Sequence, residues 1–205
     1  MSNTKTQLLY ANLQDDEAGF EKEWLKLEKY NFKLLTLVAV LAQNHLAYRG
    51  TVAEMCDYLG IDNQTKNRRA ITTAIAQLEE KGMVKTILDN NKVYTITLSV
   101  KAEKKKDVIV IQKKWIEMVQ GLKSRGVSWD NVLRVWLYLI ANEEEIITSK
   151  KIAADLGISE RKVARIKDVL VNDLKAIKCQ DRYKKTSGAN FTKLGQTIDT
   201  FAWID

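Results

Sequence analysis

The chain of 205 residues has no proline, two cysteines, one histidine and nine scattered glycines. Each scarcity closes off a class of structure or chemistry. Proline breaks helix interiors, so its absence permits long helices without requiring them. Cys56 and Cys179 stand at non-equivalent places in apolar patterns. They read as small buried hydrophobes rather than as a secreted disulfide framework. His45 and two separated cysteines make no zinc set. The glycines form no phosphate-cradling loop. Carboxylate runs such as Glu143-Glu144-Glu145 read as a solvated loop. The longest apolar stretches, 34–42 and 135–141, fall far short of the roughly 18–20 residues of a membrane helix. Residues 1–14 lack a basic region followed by an apolar core, so no secretion signal is expected and the cytoplasm is the expected location.

Charge is the first positive signal. The chain holds 33 Lys and Arg against 26 Asp and Glu, a formal net charge of +7. Residues 1–100 carry 12 basic and 12 acidic side chains, while 101–205 carry 21 and 14. The stretch 146–193 alone carries 12 and 5. The second half therefore holds the whole excess. Such a surface is either a solvated face or one that meets phosphates.

One pattern occurs twice. Leu59-Gly60-Ile61 closes a short apolar helical pattern and opens a polar-faced one, and Leu156-Gly157-Ile158 does the same 97 positions on. Upstream, Leu41-Ala42-Gln43-Asn44 is echoed by Leu139-Ile140-Ala141-Asn142, and Thr51 by Thr148. Downstream, Leu78 is echoed by Leu174. Offsets of 96 to 98 are those of two diverged copies of a small domain. Two domains of roughly 90 residues fit a chain of this length.

Periodicity and turn residues outline each copy. An amphipathic helix is expected over 15–31, with Asp15, Asp16 and Glu17 at its positive end and Phe20, Trp24 and Leu27 in an apolar stripe. A more buried helix is expected over 32–47, broken by Arg49-Gly50. Thr51 is the expected cap of a short helix ending at Leu59. Asp62 or Asn63 is the expected cap of a longer one, ending near Lys81 with Gly82 as its stop. Residues 83–88 and 92–98 read as a hairpin around Asp89-Asn90-Asn91. Residues 100–107 are a charged joint, and 108–122 start as a strand and continue as a helix. In the second copy, Ser128 caps 129–142, Thr148 or Ser149 caps 150–156, and Ser159 caps a last helix ending near Ile177. A second hairpin joins 178–185 to 190–194, and 197–205 form a tail. Trp24, Trp115, Trp129 and Trp136 lie on helical apolar stripes and are expected in the core.

The expected fold is thus mainly α with small β-hairpins, an α+β chain. Its expected parts are an N-terminal helical extension (1–31), a first domain (32–100), a linker and helix (101–127), a second domain (128–196) and a tail (197–205).

The run Ile152-Ala153-Ala154-Asp155-Leu156-Gly157-Ile158-Ser159-Glu160-Arg161-Lys162-Val163-Ala164-Arg165-Ile166 resembles the helix-turn-helix of winged-helix DNA-binding proteins. The run from Val52 through Leu59-Gly60-Ile61 to Leu78 is similar to it. With the hairpins, the resemblance covers 32–99 and 129–194 and implies two tandem winged helices. It also implies that the second helix of each motif enters the major groove while the wing meets the backbone or minor groove. At 100° per residue, Val163, Ile166, Leu170, Leu174 and Ile177 form one stripe. Arg161, Arg165, Asp168 and Asn172 lie opposite, with Lys162 at the flank. Arg pairs bidentately with guanine O6 and N7, so Arg161 and Arg165 are the candidate base readers. Lys162 comes next, followed by Arg182, Lys184 and Lys185 of the adjoining hairpin. In the first copy Ile71, Ala74, Ile75 and Leu78 face inward. Lys66, Arg68 and Arg69 are its candidate DNA contacts, and Lys92 is a candidate phosphate contact in its wing. For this electrically balanced copy a protein partner stands equally open.

These readings lead to a sequence-specific double-stranded DNA-binding protein, a transcriptional regulator with the second winged helix as main reader. Two alternatives stay open: a replication initiator or organiser of a plasmid, phage or other mobile element, and a winged-helix protein-interaction scaffold. A homodimer or a protein partner is expected to use domain 1 or the N-terminal helix, and no membrane is expected. No catalytic group, cofactor or metal site is signalled, so no enzyme is expected.

Overall fold

Two helices are buried around nearly their whole circumference, and each becomes the centre of one unit. The computed structural model describes residues 10, 13–42, 46–99, 107–122, 126–143, 145–187 and 190–200, without the side chains of 183–195, 197 and 200. The chain is an α+β protein with two units, Met1–Lys114 and Trp115–Asp205. His45 and most of the charged joint, 100–106, lie outside the described residues.

In the first unit, strand β1 (Glu17–Glu21) pairs antiparallel with β5 (Val108–Gln112), Glu17 opposite Gln112 and Glu21 opposite Val108. The helix expected over 15–31 is therefore not formed. A 3₁₀ turn, Lys22–Lys26, follows β1, and helix α1 (Lys29–Leu41) begins after it. The residues of that apolar spacing are divided between β1, which carries Phe20, and the 3₁₀ turn, which carries Trp24, with Leu27 just after it. Phe20 on β1 packs on Trp24 of the 3₁₀ turn (ring centroids 5.9 Å apart) and on Phe32 of α1 (6.4 Å). Pairing with a strand far along the chain overrides the local pattern. Gly19 makes room for Tyr10, whose Cε1 would lie 2.9 Å from a Cβ at that position.

Helix α1 has every residue from 31 to 40 buried and ends at Leu41, short of the expected 47. The break read at Arg49-Gly50 is a strand instead, β2 (Ala47–Thr51), with Tyr48 and Gly50 inward and Arg49 outward. It pairs with β4 (Val93–Leu98), which also pairs with β3 (Val84–Leu88), so the sheet order is β2-β4-β3. Between them lie α2 (Val52–Tyr58) and α3 (Thr65–Glu80). Asp62 and Asn63 do not cap α3; Gln64 holds the cap position without a side-chain bond. Asn63 Oδ1 instead accepts from Arg68 Nε at 2.6 Å, and the Asp62 carbonyl accepts from Asn67 Nδ2 at 2.8 Å. Glu79 of α3 accepts from both the N–H and the hydroxyl of Thr86, occupying a donor on the edge strand β3.

Thr51 ends β2 and caps α2 as expected, in a reciprocal box. Its Oγ1 accepts from the Glu54 N–H at 3.3 Å, and Glu54 Oε2 accepts from the Thr51 N–H at 2.6 Å. Accepting from the Thr51 N–H, and also from the Thr51 hydroxyl at 2.9 Å, holds the Glu54 carboxyl below the usual carboxylate range. Asp89 in the hairpin turn is lowered likewise, by accepting first from the Val93 N–H (2.9 Å) and also from the Asn91 N–H (2.8 Å). A lowered carboxyl contributes stability that is fully present above its unfolded pKa and lost as pH falls through the folded value. The thermal midpoint is therefore expected to fall as pH is taken from about 7 to about 2. The double variant Glu54→Gln, Asp89→Asn should show a shallower fall in circular-dichroism melts, and an equally steep fall in both proteins would count against the assignment.

The second unit repeats the order. Helix α4 (Lys113–Gly121) continues directly from β5, the strand-then-helix read over 108–122. Helix α5 (Trp129–Ala141) is buried from residue 130 to 139. Trp136 is fully buried and meets Trp115 edge-on at 5.5 Å. Ser128 sits at the cap position but makes no cap bond; its Oγ accepts from Asn131 Nδ2. Thr148 caps α6 (Ser149–Leu156) and Ser159 caps α7 (Glu160–Asp168), each accepting from the N–H three residues on. Gly157 between them takes a left-handed φ of 65°, as Gly60 (φ 61°) does in the first unit. The helix expected to reach Ile177 ends earlier. A π-helical turn, Val169–Asp173, closes α7, and strand β6 (Ile177–Ser187) begins at that isoleucine. β6 pairs with β7 (Asn190–Thr200), so the start of the expected tail, 197–200, belongs to the hairpin. Ile147 bridges Gln196 on the other side of β7, in the place β2 holds in the first unit. Cys56 is buried and Cys179 is half-buried.

Candidate nucleic-acid interface

The candidate readers of the second unit sit on a helix fixed from three sides. Val163 and Ile166 bury one face of α7, and Val169, Leu170, Leu174 and Ile177 continue the apolar stripe through the π turn. The Ser159 hydroxyl holds the first turn, accepting from the Lys162 N–H at 3.3 Å. Helix α6 is pinned to α5 by two side chains. Arg134, only 7% exposed, donates from Nη2 to the Leu156 carbonyl at 3.0 Å. The Tyr138 hydroxyl donates to Asp155 Oδ2 at 2.5 Å. Burial lowers the Arg134 pKa and the nearby Asp130 carboxylate opposes that shift. Burial and the Asp155 contact raise that of Tyr138.

Arg161 and Arg165 project from the opposite side of α7, both exposed, with Asp168 and Asn172 exposed on the same side and Lys162 half-exposed at the flank. Neither guanidinium has a hydrogen-bond or ion-pair partner among the described residues. Arg165 Nη1 lies beside the turn at Gly126, 3.7 Å from where a Cβ would stand. Asn172 Nδ2 donates to Asp168 Oδ1 at 2.5 Å, so these two are occupied with each other. Arg182 is exposed on β6 and has an interaction within the protein. The backbone of Lys184 pairs with Thr192 and that of Lys185 with Phe191, while both side chains lie outside the described residues.

Two features of this face carry no local sequence signal that singles them out. Lys167 donates to Gln196 Oε1, and Gln196 Nε2 donates to Asp181 Oδ1 at 2.7 Å, so α7 is tied to the hairpin and Lys167 is a strut. Arg134 interrupts the apolar run Val132-Leu133-Arg134-Val135-Trp136, and only that interruption could have flagged it.

In the first unit Lys66, Arg68 and Arg69 are all exposed on the N-terminal half of α3, with Lys66 and Arg69 on the side away from the buried Ile71, Ala74, Ile75 and Leu78 and Arg68 to one side. Arg68 is held by Asn63 as described. Lys92 takes a left-handed φ of 60° in the β3–β4 turn, a conformation uncommon outside glycine. Ile87 and Leu88 are exposed beside that turn. Among the described residues no group of three or more His, Cys, Asp or Glu is placed to hold a metal, and no helix is long and apolar enough to cross a membrane. No family model matches the chain, and no curated protein matches it.

Proposed function

We propose that the chain is a sequence-specific double-stranded DNA-binding protein of the cytoplasm, built from two tandem winged helices and acting as a transcriptional regulator. The order helix, capped helix, polar-faced helix and hairpin in each unit supports the winged-helix reading. The observation that carries the function is the pair Arg161 and Arg165. They are two exposed guanidinia without partners among the described residues, on a helix whose opposite face is locked into the core. Long donors on a rigid exposed helix suit base edges in the major groove. The net charge of 146–193 suits the phosphates around them.

A gel shift of a random-sequence duplex pool at two salt concentrations tests this. Affinity is expected to fall steeply with salt, with a log–log slope of about −0.9 for each phosphate neutralised. Recovered duplexes should share a consensus. Binding without a consensus would favour the interaction-scaffold reading, and no salt-dependent binding would overturn the DNA reading. A recovered site at an origin, rather than at a promoter, would make the chain a replication initiator.

A further inference from the structure

The first unit has a groove whose lining includes Lys66 and Arg69, two of its candidate DNA contacts. It has a volume of about 310 Å³. One wall runs along α3 from Lys66 and Arg69 past Thr73 to Gln77; the other is the first turn of α1, with Tyr30 and Asn31, and Glu28 also lines it.

Three independent features of this groove ask for an anion. The N-terminus of α1, a helix of 13 residues, has no side-chain cap bond from Glu28 and no acidic residue in its first turn. Of its own residues only the cap, Glu28, puts a carboxylate at that positive end, and it makes no cap bond there. Asn31 is 1% exposed, and its Nδ2 has no hydrogen-bond partner. A buried orphan donor is costly, so the first turn of α1 carries an unmet demand for an acceptor beside the groove. Lys66 and Arg69 are exposed, and their side chains have no partner among the described residues.

The charge balance narrows the anion. Two cations and the Glu28 carboxylate leave one net positive charge, which matches a singly charged phosphodiester better than a free phosphate dianion. The shape agrees. Small-molecule sites enclose most of their ligand, whereas this groove is open along its length and suits one segment of a long polyanion. We infer that the groove is a phosphodiester site by which the first unit grips the backbone of duplex DNA without reading bases. This rests on the DNA-binding reading above.

The test uses the full chain, a duplex recovered from the random pool, and fluorescence anisotropy over a range of salt. Lys66→Ala with Arg69→Ala should weaken binding at least about tenfold and lower the magnitude of the salt slope by roughly one, for the single phosphate released. Asn31→Leu removes the orphan donor at similar volume, so the protein should melt no lower than the parent. It should nevertheless bind the duplex several-fold more weakly, with an unchanged consensus. If these variants bind like the parent while Arg161→Ala does not, the groove proposal is overturned and the DNA reading stands. If the parent binds no duplex, both fall. An NMR titration with inorganic phosphate separates the sources. Shifts at Tyr30 and Asn31 that vanish in the variants, with duplex affinity untouched, would assign the groove to free phosphate and overturn the duplex role.

Discussion

Replacing Arg161 and Arg165 with alanine is expected to weaken specific duplex binding by about 1–3 kcal/mol for each lost pairing, roughly 5- to 150-fold per arginine. The reason is geometric as well as electrostatic. Both guanidinia stand on the exposed side of α7, and their removal uncovers no core residue, because Val163 and Ile166 point the other way. The melting temperature should therefore stay close to the parent's, within the small range usual for surface substitutions. Selection from a random pool should show the consensus relaxed at the guanines each arginine contacts. A lysine in either place should recover part of the salt dependence but little of the base preference, since it lacks the planar fork. Unchanged affinity and unchanged consensus in the double variant would mean that the reading face lies elsewhere.

The largest stability effect is expected at Arg134. Its side chain is buried, close enough to Asp130 to feel that carboxylate, and it donates to the last carbonyl of α6. Arg134→Ala leaves Asp130, 1% exposed, without this counter-charge and the Leu156 carbonyl without this donor. Breaking a buried charge arrangement from one side costs about 3–5 kcal/mol. Urea unfolding should register that loss, and a drop below about 1 kcal/mol would show that the guanidinium does not hold α6 in place. Pairing the change with Asp130→Leu should restore much of the stability, because the stranded charge is then gone. DNA binding should follow stability here, in contrast to the arginines of α7, since Arg134 acts only through the placement of the helices.

What could be read from residues alone was what depends on near neighbours. Thr51 and Thr148 cap their helices, and the inward stripes of α3 and α7 are buried as their angular spacing predicts. These follow from contacts three or four positions apart. The misreadings share the opposite origin. Residues 17–21 form a strand because 108–112 lie beside them, and no local window contains that pairing. Arg49-Gly50 reads as a break because a Gly after a charged residue usually is one. In β2 the same glycine faces inward, where a Cβ would run into the Tyr48 hydroxyl. The second hairpin extends past its expected end because the backbone of 177–180 pairs with that of 197–200. The candidate site divides in the same way. Arg161 and Arg165 were legible from one helix, whereas the groove at Asn31 exists only where the first turn of α1 meets α3.

Gln196 has a consequence beyond its position in β7. Its backbone exchanges two hydrogen bonds with Ile147, and its side chain joins Lys167 of α7 to Asp181 of β6. One residue thus ties an edge segment, the exposed helix and the hairpin to each other. In hydrogen-exchange terms these three are expected to open as one cooperative unit, with the helix bearing Arg161 and Arg165 fraying no earlier than the sheet behind it. A surface already held this way gives up little conformational freedom when it meets a partner, and less of the contact energy is spent on ordering it.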